Sequence, residues 1–82
     1  MKLTIESLGR IRHEFGLSPR ELQLLELLLE GRDTNAALAA RLGNTTGTVK
    51  QQLHGLYLKF HRSSKLAVVV AVIDRVLGKS PA

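Results

Sequence analysis

The sequence predicts an all-α fold, four helices preceded by a short extra one. Three features carry that expectation. Apolar residues recur at helical spacing, the longest row being Val49, Leu53, Leu56 and Phe60 at i, i+4, i+7 and i+11. Helix starts and stops punctuate the chain, with Ser18-Pro19 and Thr45 as starts and Gly16, Gly31, Gly43 and Gly78 as stops. The β-branched run Val68 to Ile73 also reads as a buried strand, but nothing elsewhere offers it a partner strand, so a helix is preferred.

In chain order, Ile5, Leu8, Ile11 and Phe15 suggest a short helix from about Ile5 to His13, with Thr4 as a possible cap and Gly16 as its stop. Residues 1–16 fit either a helix packed on the core or a linker from a larger protein. The domain proper is placed at 17–78. Ser18 is the expected N-cap of its first helix, Pro19 the first helical residue, and Glu21 completes a capping box. That helix runs to about Glu30. Leu22, Leu25, Leu28 and Leu29 form its buried side, widened by Leu24 and Leu27, which makes it the centre of the core. Asp33 or Thr34 caps the next helix, which ends at Leu42. Ser63 or Ser64 caps the last, which ends at Gly78. Residues 79–82 are expected to be a flexible tail.

With 82 residues the chain is one domain near the lower limit for a self-sufficient core. It has no cysteine, which removes disulfides and thiolate metal sites. No apolar run approaches the ~20 residues needed to span a membrane, and no signal peptide is visible. Phe15, Tyr57 and Phe60 are the only aromatics, too few for stacking single-stranded bases. His13, His54 and His61 lack the partners of a metal site. No cofactor, metal or active-site cleft is expected, so the chain reads as a non-enzyme.

Charge is divided unevenly. Residues 1–33 hold five bases and six acids, net −1, whereas residues 34–82 hold seven bases and one acid, net +6. Basic excess confined to one part of a small domain is the electrostatic footprint of a polyanion partner. The positive part contains the stretch from Asn35 to Phe60, which reads as helix, tight turn, helix. Gly43 suits a left-handed cap, and Thr45 caps the second helix. That helix turns Val49, Leu53, Leu56 and Phe60 inward and Gly47, Lys50, Gln51 and His54 outward. An outward face without acids, beside an anchored one, is what reading a DNA groove requires.

LSPRELQLLELLLEG at Leu17–Gly31, LAARLG at Leu38–Gly43 and TGTVK at Thr46–Lys50 carry a resemblance to a known family. With Leu56-Tyr57-Leu58-Lys59-Phe60 and Ser63-Ser64-Lys65, they resemble the DNA-binding domain of LuxR-type bacterial transcription factors over about Leu17 to Val76. The resemblance implies a four-helix helix-turn-helix bundle. It implies that Lys50, Gln51 and His54 face the major groove, and that the last helix pairs with its twin in a two-fold homodimer. The sequence departs from the family at Asn44 and Gln52, at His61-Arg62 in place of a typical glycine and valine, and by one extra residue between Gly31 and Asn35. Asn44 and Arg62 are expected to weaken packing.

The expected function is sequence-specific binding of double-stranded DNA by a transcriptional regulator, cytoplasmic and nucleoid-associated. The DNA-binding residues are Thr34, Thr46, Gly47, Lys50, Gln51, His54 and Lys59. The dimer contact is expected at Val68, Val72 and Arg75, while Leu66, Val69, Val70, Ile73 and Val76 face the chain's own core. One alternative is a sigma-like promoter-reading module that binds RNA polymerase, because that family shares the LxPRE…GTVK pattern. The other is a protein-interaction domain that has lost DNA binding. If the chain is complete, it lacks a receiver domain, and its control comes from abundance or a partner.

Overall fold

The computed structural model describes residues 3–78, and the tail expected at 79–82 lies outside them. The described residues are all-helical: α1 (Ile5–Phe15), α2 (Pro19–Leu29), α3 (Asn35–Leu42), α4 (Thr46–Phe60) and α5 (Lys65–Val76). None of these helices is long and apolar enough to cross a membrane.

The caps explain the boundaries. Ser18 Oγ accepts the Glu21 N–H, and Glu21 Oε1 accepts the Ser18 N–H at 2.8 Å, which closes the capping box. Of the two residues expected to cap α3, Thr34 does so, by accepting the Ala37 N–H. Ser64 caps α5. Helix α1 runs two residues past its expected end, because Gly16 takes the left-handed conformation only after Phe15.

Helix α2 is central, packing on α3, α4 and α5. Its Leu24 and Leu25 are fully buried beside Leu38 of α3, Val49 and Leu56 of α4, and Val68 and Val72 of α5. Helix α1 joins the bundle through buried Ile11, through Phe15 stacked on Phe60 with centroids 4.2 Å apart, and through a Glu14–Arg75 ion pair of 2.6 Å.

The rotation of α5 differs from the expectation. Val68 and Val72, assigned above to a dimer contact, are 0% exposed and lie in the chain's own core. Leu66 and Val70, assigned to the core, are 72% and 46% exposed. Arg75 is exposed but reaches across to Glu14 of α1. The physical reason is periodicity. Val, Leu, Ile and Ala surround this helix, so its pattern cannot fix which side turns inward.

Candidate nucleic-acid interface

The α3–turn–α4 unit is built from local hydrogen bonds. Gly43 ends α3 at φ 69°, and both its N–H and that of Asn44 return to Ala39 O. Thr45 then accepts the Thr48 N–H at 3.2 Å and starts α4. Asn44 Nδ2, Gln52 Oε1 and Asn35 Oδ1 are buried without a hydrogen-bond partner. Two of these three residues are the departures noted in the sequence, and each such atom forfeits ~1–3 kcal/mol of hydration.

Helix α4 divides along its length as well as around its axis. Val49, Leu53, Leu56 and Phe60 are buried, which fixes its rotation. Thr46, Gly47, Lys50, Gln51 and His54 are exposed on its N-terminal part. A methyl group added to Gly47 would approach only the Thr45 hydroxyl, at 3.9 Å, so nothing inside the fold requires glycine there. Helix α4 contains no Asp or Glu. Thr34 is exposed at the start of α3, where its hydroxyl serves as the cap.

The C-terminal part of α4 is fastened. Lys59, assigned above to DNA, donates instead to Glu21 Oε1 at 2.5 Å and to Gly16 O at 2.8 Å. Glu21 also accepts from Ser18, so one carboxylate ties α4 to the α1–α2 junction. Burial alone would raise the Glu21 pKa. The Lys59 and Ser18 hydrogen bonds and the Lys59 charge outweigh burial and hold it below the ordinary 4.5. A Cβ on Gly55 would lie 3.0 Å from Glu21 Oε2, so the absent side chain makes room for the carboxylate. The sequence signal for this clasp was Gly55, a glycine inside a fifteen-residue helix where helix propensity disfavours it.

Several other cations are also engaged, whereas Arg10, Arg12 and Arg41 make no side-chain hydrogen bond or ion pair among the described residues. Lys65 donates to Asp33 O. Arg62, expected to weaken packing, is exposed and donates to Phe60 O and His61 O, satisfying carbonyls at the end of α4. Arg20 donates to Gln23 and to Leu42 O, and Arg75 pairs with Glu14. Among the described residues, Lys50, Gln51 and His54 make no side-chain hydrogen bond or ion pair. No family model, curated protein or solved structure matches this chain.

Proposed function

We propose that the chain binds double-stranded DNA as a sequence-specific transcriptional regulator of LuxR type, with the N-terminal half of α4 in the major groove. One observation carries this reading: the uncommitted donors Lys50, Gln51 and His54 lie together on an exposed, acid-free face of α4, while the basic residues Lys59, Lys65, Arg62 and Arg75 are engaged within the fold. Arg41 on α3 is likewise exposed and without a side-chain partner among the described residues, so positive charge is left facing outward on both helices of the α3–turn–α4 unit.

Each residue has a role in this reading. Gln51 matches the two hydrogen-bonding groups of an adenine edge. Lys50 matches guanine O6 and N7 or a phosphate, and a good base contact is worth ~1–3 kcal/mol of discrimination. Gly47 and Thr46 bring the first turn of α4 close to the backbone, and the α3 start at Thr34 places its free N–H groups toward a phosphate. Lys59 is left out, because its ammonium closes the clasp with Glu21. The clasp instead ties the C-terminal part of α4 to Glu21 and Gly16. In this reading the protein acts as a homodimer in the bacterial cytoplasm, with RNA polymerase as a further partner.

The experiment is selection of bound sequences from a random duplex library. An enriched motif that Gln51→Ala relaxes at one base pair supports the reading. Salt-sensitive binding without a motif points to backbone recognition alone. Absence of binding at low salt favours the protein-interaction alternative, which the departures from the family pattern at Asn44 and Gln52 leave open.

A further inference from the structure

Helix α1 presents a saddle to solvent. Gly9 lies on its outer side, between Arg10 and Arg12 as the helix turns, while Ile11 is buried on the inner side. A hollow opens on each flank. One is lined by Arg10, Glu14 and Arg75 toward α5, the other by Arg12, Gly16 and Leu17 toward the α1–α2 junction. Gly9 and His13 line both.

Two features of this saddle have no use inside the fold. A Cβ on Gly9 would meet nothing within 4 Å, so packing does not demand glycine there. It nevertheless stands inside an eleven-residue helix, where only proline is a poorer helix former. Arg10 and Arg12 are exposed and unpaired among the described residues. Arg10 has a glutamate four residues to either side, Glu6 and Glu14, the spacing at which ion pairs form on a helix. Arg75 takes Glu14 at 2.6 Å, and Arg10 makes no pair with Glu6.

We propose that the saddle docks an acidic segment of a partner protein, which crosses α1 at Gly9 and sets one carboxylate toward Arg10 and another toward Arg12. The missing Cβ lets the crossing backbone come close, and each guanidinium offers a carboxylate two parallel donors. Charge complementarity selects this occupant. Glu14 and Arg75 neutralise each other, which leaves Arg10 and Arg12 against Glu6. A few discrete carboxylates match that pattern, whereas a continuous phosphate backbone would run onto the glutamates. Ile5 is 90% exposed and lies four residues before Gly9 on the same side, an apolar contact that a protein side chain covers and a phosphate does not. The saddle sits at the other end of α4 from Lys50, because Phe15 and Gly16 at the end of α1 meet Phe60 and Lys59. The inference therefore stands apart from the DNA reading.

A displayed library of random peptides tests it, selected on the unaltered protein and depleted on Arg10→Glu/Arg12→Glu. Surviving peptides are synthesised and titrated by fluorescence anisotropy against the unaltered protein and Gly9→Gln, with Tm measured for both. The proposal expects survivors rich in Asp and Glu beside an apolar residue. Their affinity should fall several-fold in Gly9→Gln, which should melt no lower than the parent because glutamine is the better helix former. Survivors without acids, or none at all, would overturn the docking site. Acidic survivors that bind Gly9→Gln as well as the parent would overturn the crossing at Gly9. Duplex binding is read on the same two proteins, and its loss in Gly9→Gln would make the saddle a DNA contact and overturn the proposal. Peptide binding that follows the expected pattern in a protein that binds no duplex would uphold the docking site and sink the DNA reading alone.

Discussion

Lys59→Met separates a structural lysine from a DNA-contacting one. The substitution keeps the aliphatic stem and removes the ammonium. Two charge-assisted hydrogen bonds are lost, to Glu21 and to Gly16 O, each of a kind worth ~1.5–3 kcal/mol. The Lys59 side chain is 37% exposed, so water screens the pair and pulls the figure toward that of surface ion pairs. The Glu21 side chain is only 12% exposed, and a carboxylate left there with Ser18 alone costs more than a surface charge would. The balance is a loss of about 2 kcal/mol, or roughly 10 °C in Tm for a domain of this size. Urea and thermal unfolding followed by circular dichroism at neutral pH read it. The pH dependence has a definite sign. The folded pKa of Glu21 lies below its ordinary 4.5, so the clasp contributes fully above that value and is lost as pH falls through the lowered folded pKa. The gap between Lys59→Met and the unaltered protein should therefore narrow in acid to what the Gly16 O bond alone contributes. A variant within ~0.5 kcal/mol of the parent at neutral pH, or a gap undiminished in acid, refutes the clasp. Stability unchanged with duplex affinity reduced would return Lys59 to the DNA face.

Three further outcomes are expected. Gly55→Ala should destabilise the parent, because the new Cβ meets Glu21 at 3.0 Å. In a Glu21→Ala background the same change should stabilise by up to ~1 kcal/mol, the ordinary helix gain; paired unfolding curves show whether the sign reverses. His61 ends α4 at φ 54°, a conformation that a side chain resists, so His61→Gly should stabilise by about 1 kcal/mol in urea unfolding. Gly47→Ala meets nothing inside the fold and should hold or raise Tm, yet it should weaken duplex binding several-fold by crowding the DNA backbone; fluorescence anisotropy with a labelled duplex measures that.

The helices were legible because their signals are local. Ser18, Thr34, Thr45 and Ser64 name their own helix starts through bonds three residues away. The stripe of α4 was legible because polar residues interrupt it, which fixes its phase and places Lys50, Gln51 and His54 outside. Helix α5 has polar residues only near its ends, Lys65 and Asp74-Arg75, with an unbroken apolar run from Leu66 to Ile73 between them, so its inward side is decided by the shape of the core it meets, and Val68 and Val72 were assigned to the wrong face. The internal bonds of Lys59 were illegible for a related reason. Its partners Glu21 and Gly16 are 38 and 43 residues away, and no local spacing connects them. A positive charge near a recognition helix looks available until the fold shows what it holds.

The central claim is that the Lys50 face of α4 meets DNA. It is tested most directly by the affinity of the protein for its selected duplex across a range of salt, beside Lys50→Ala. The account predicts affinity that falls steeply as salt rises. In Lys50→Ala, binding should weaken and either the salt slope should shrink by about one or discrimination at a single base pair should relax. Binding that Lys50→Ala leaves unchanged in strength, slope and sequence preference, or no binding even at low salt, would contradict it.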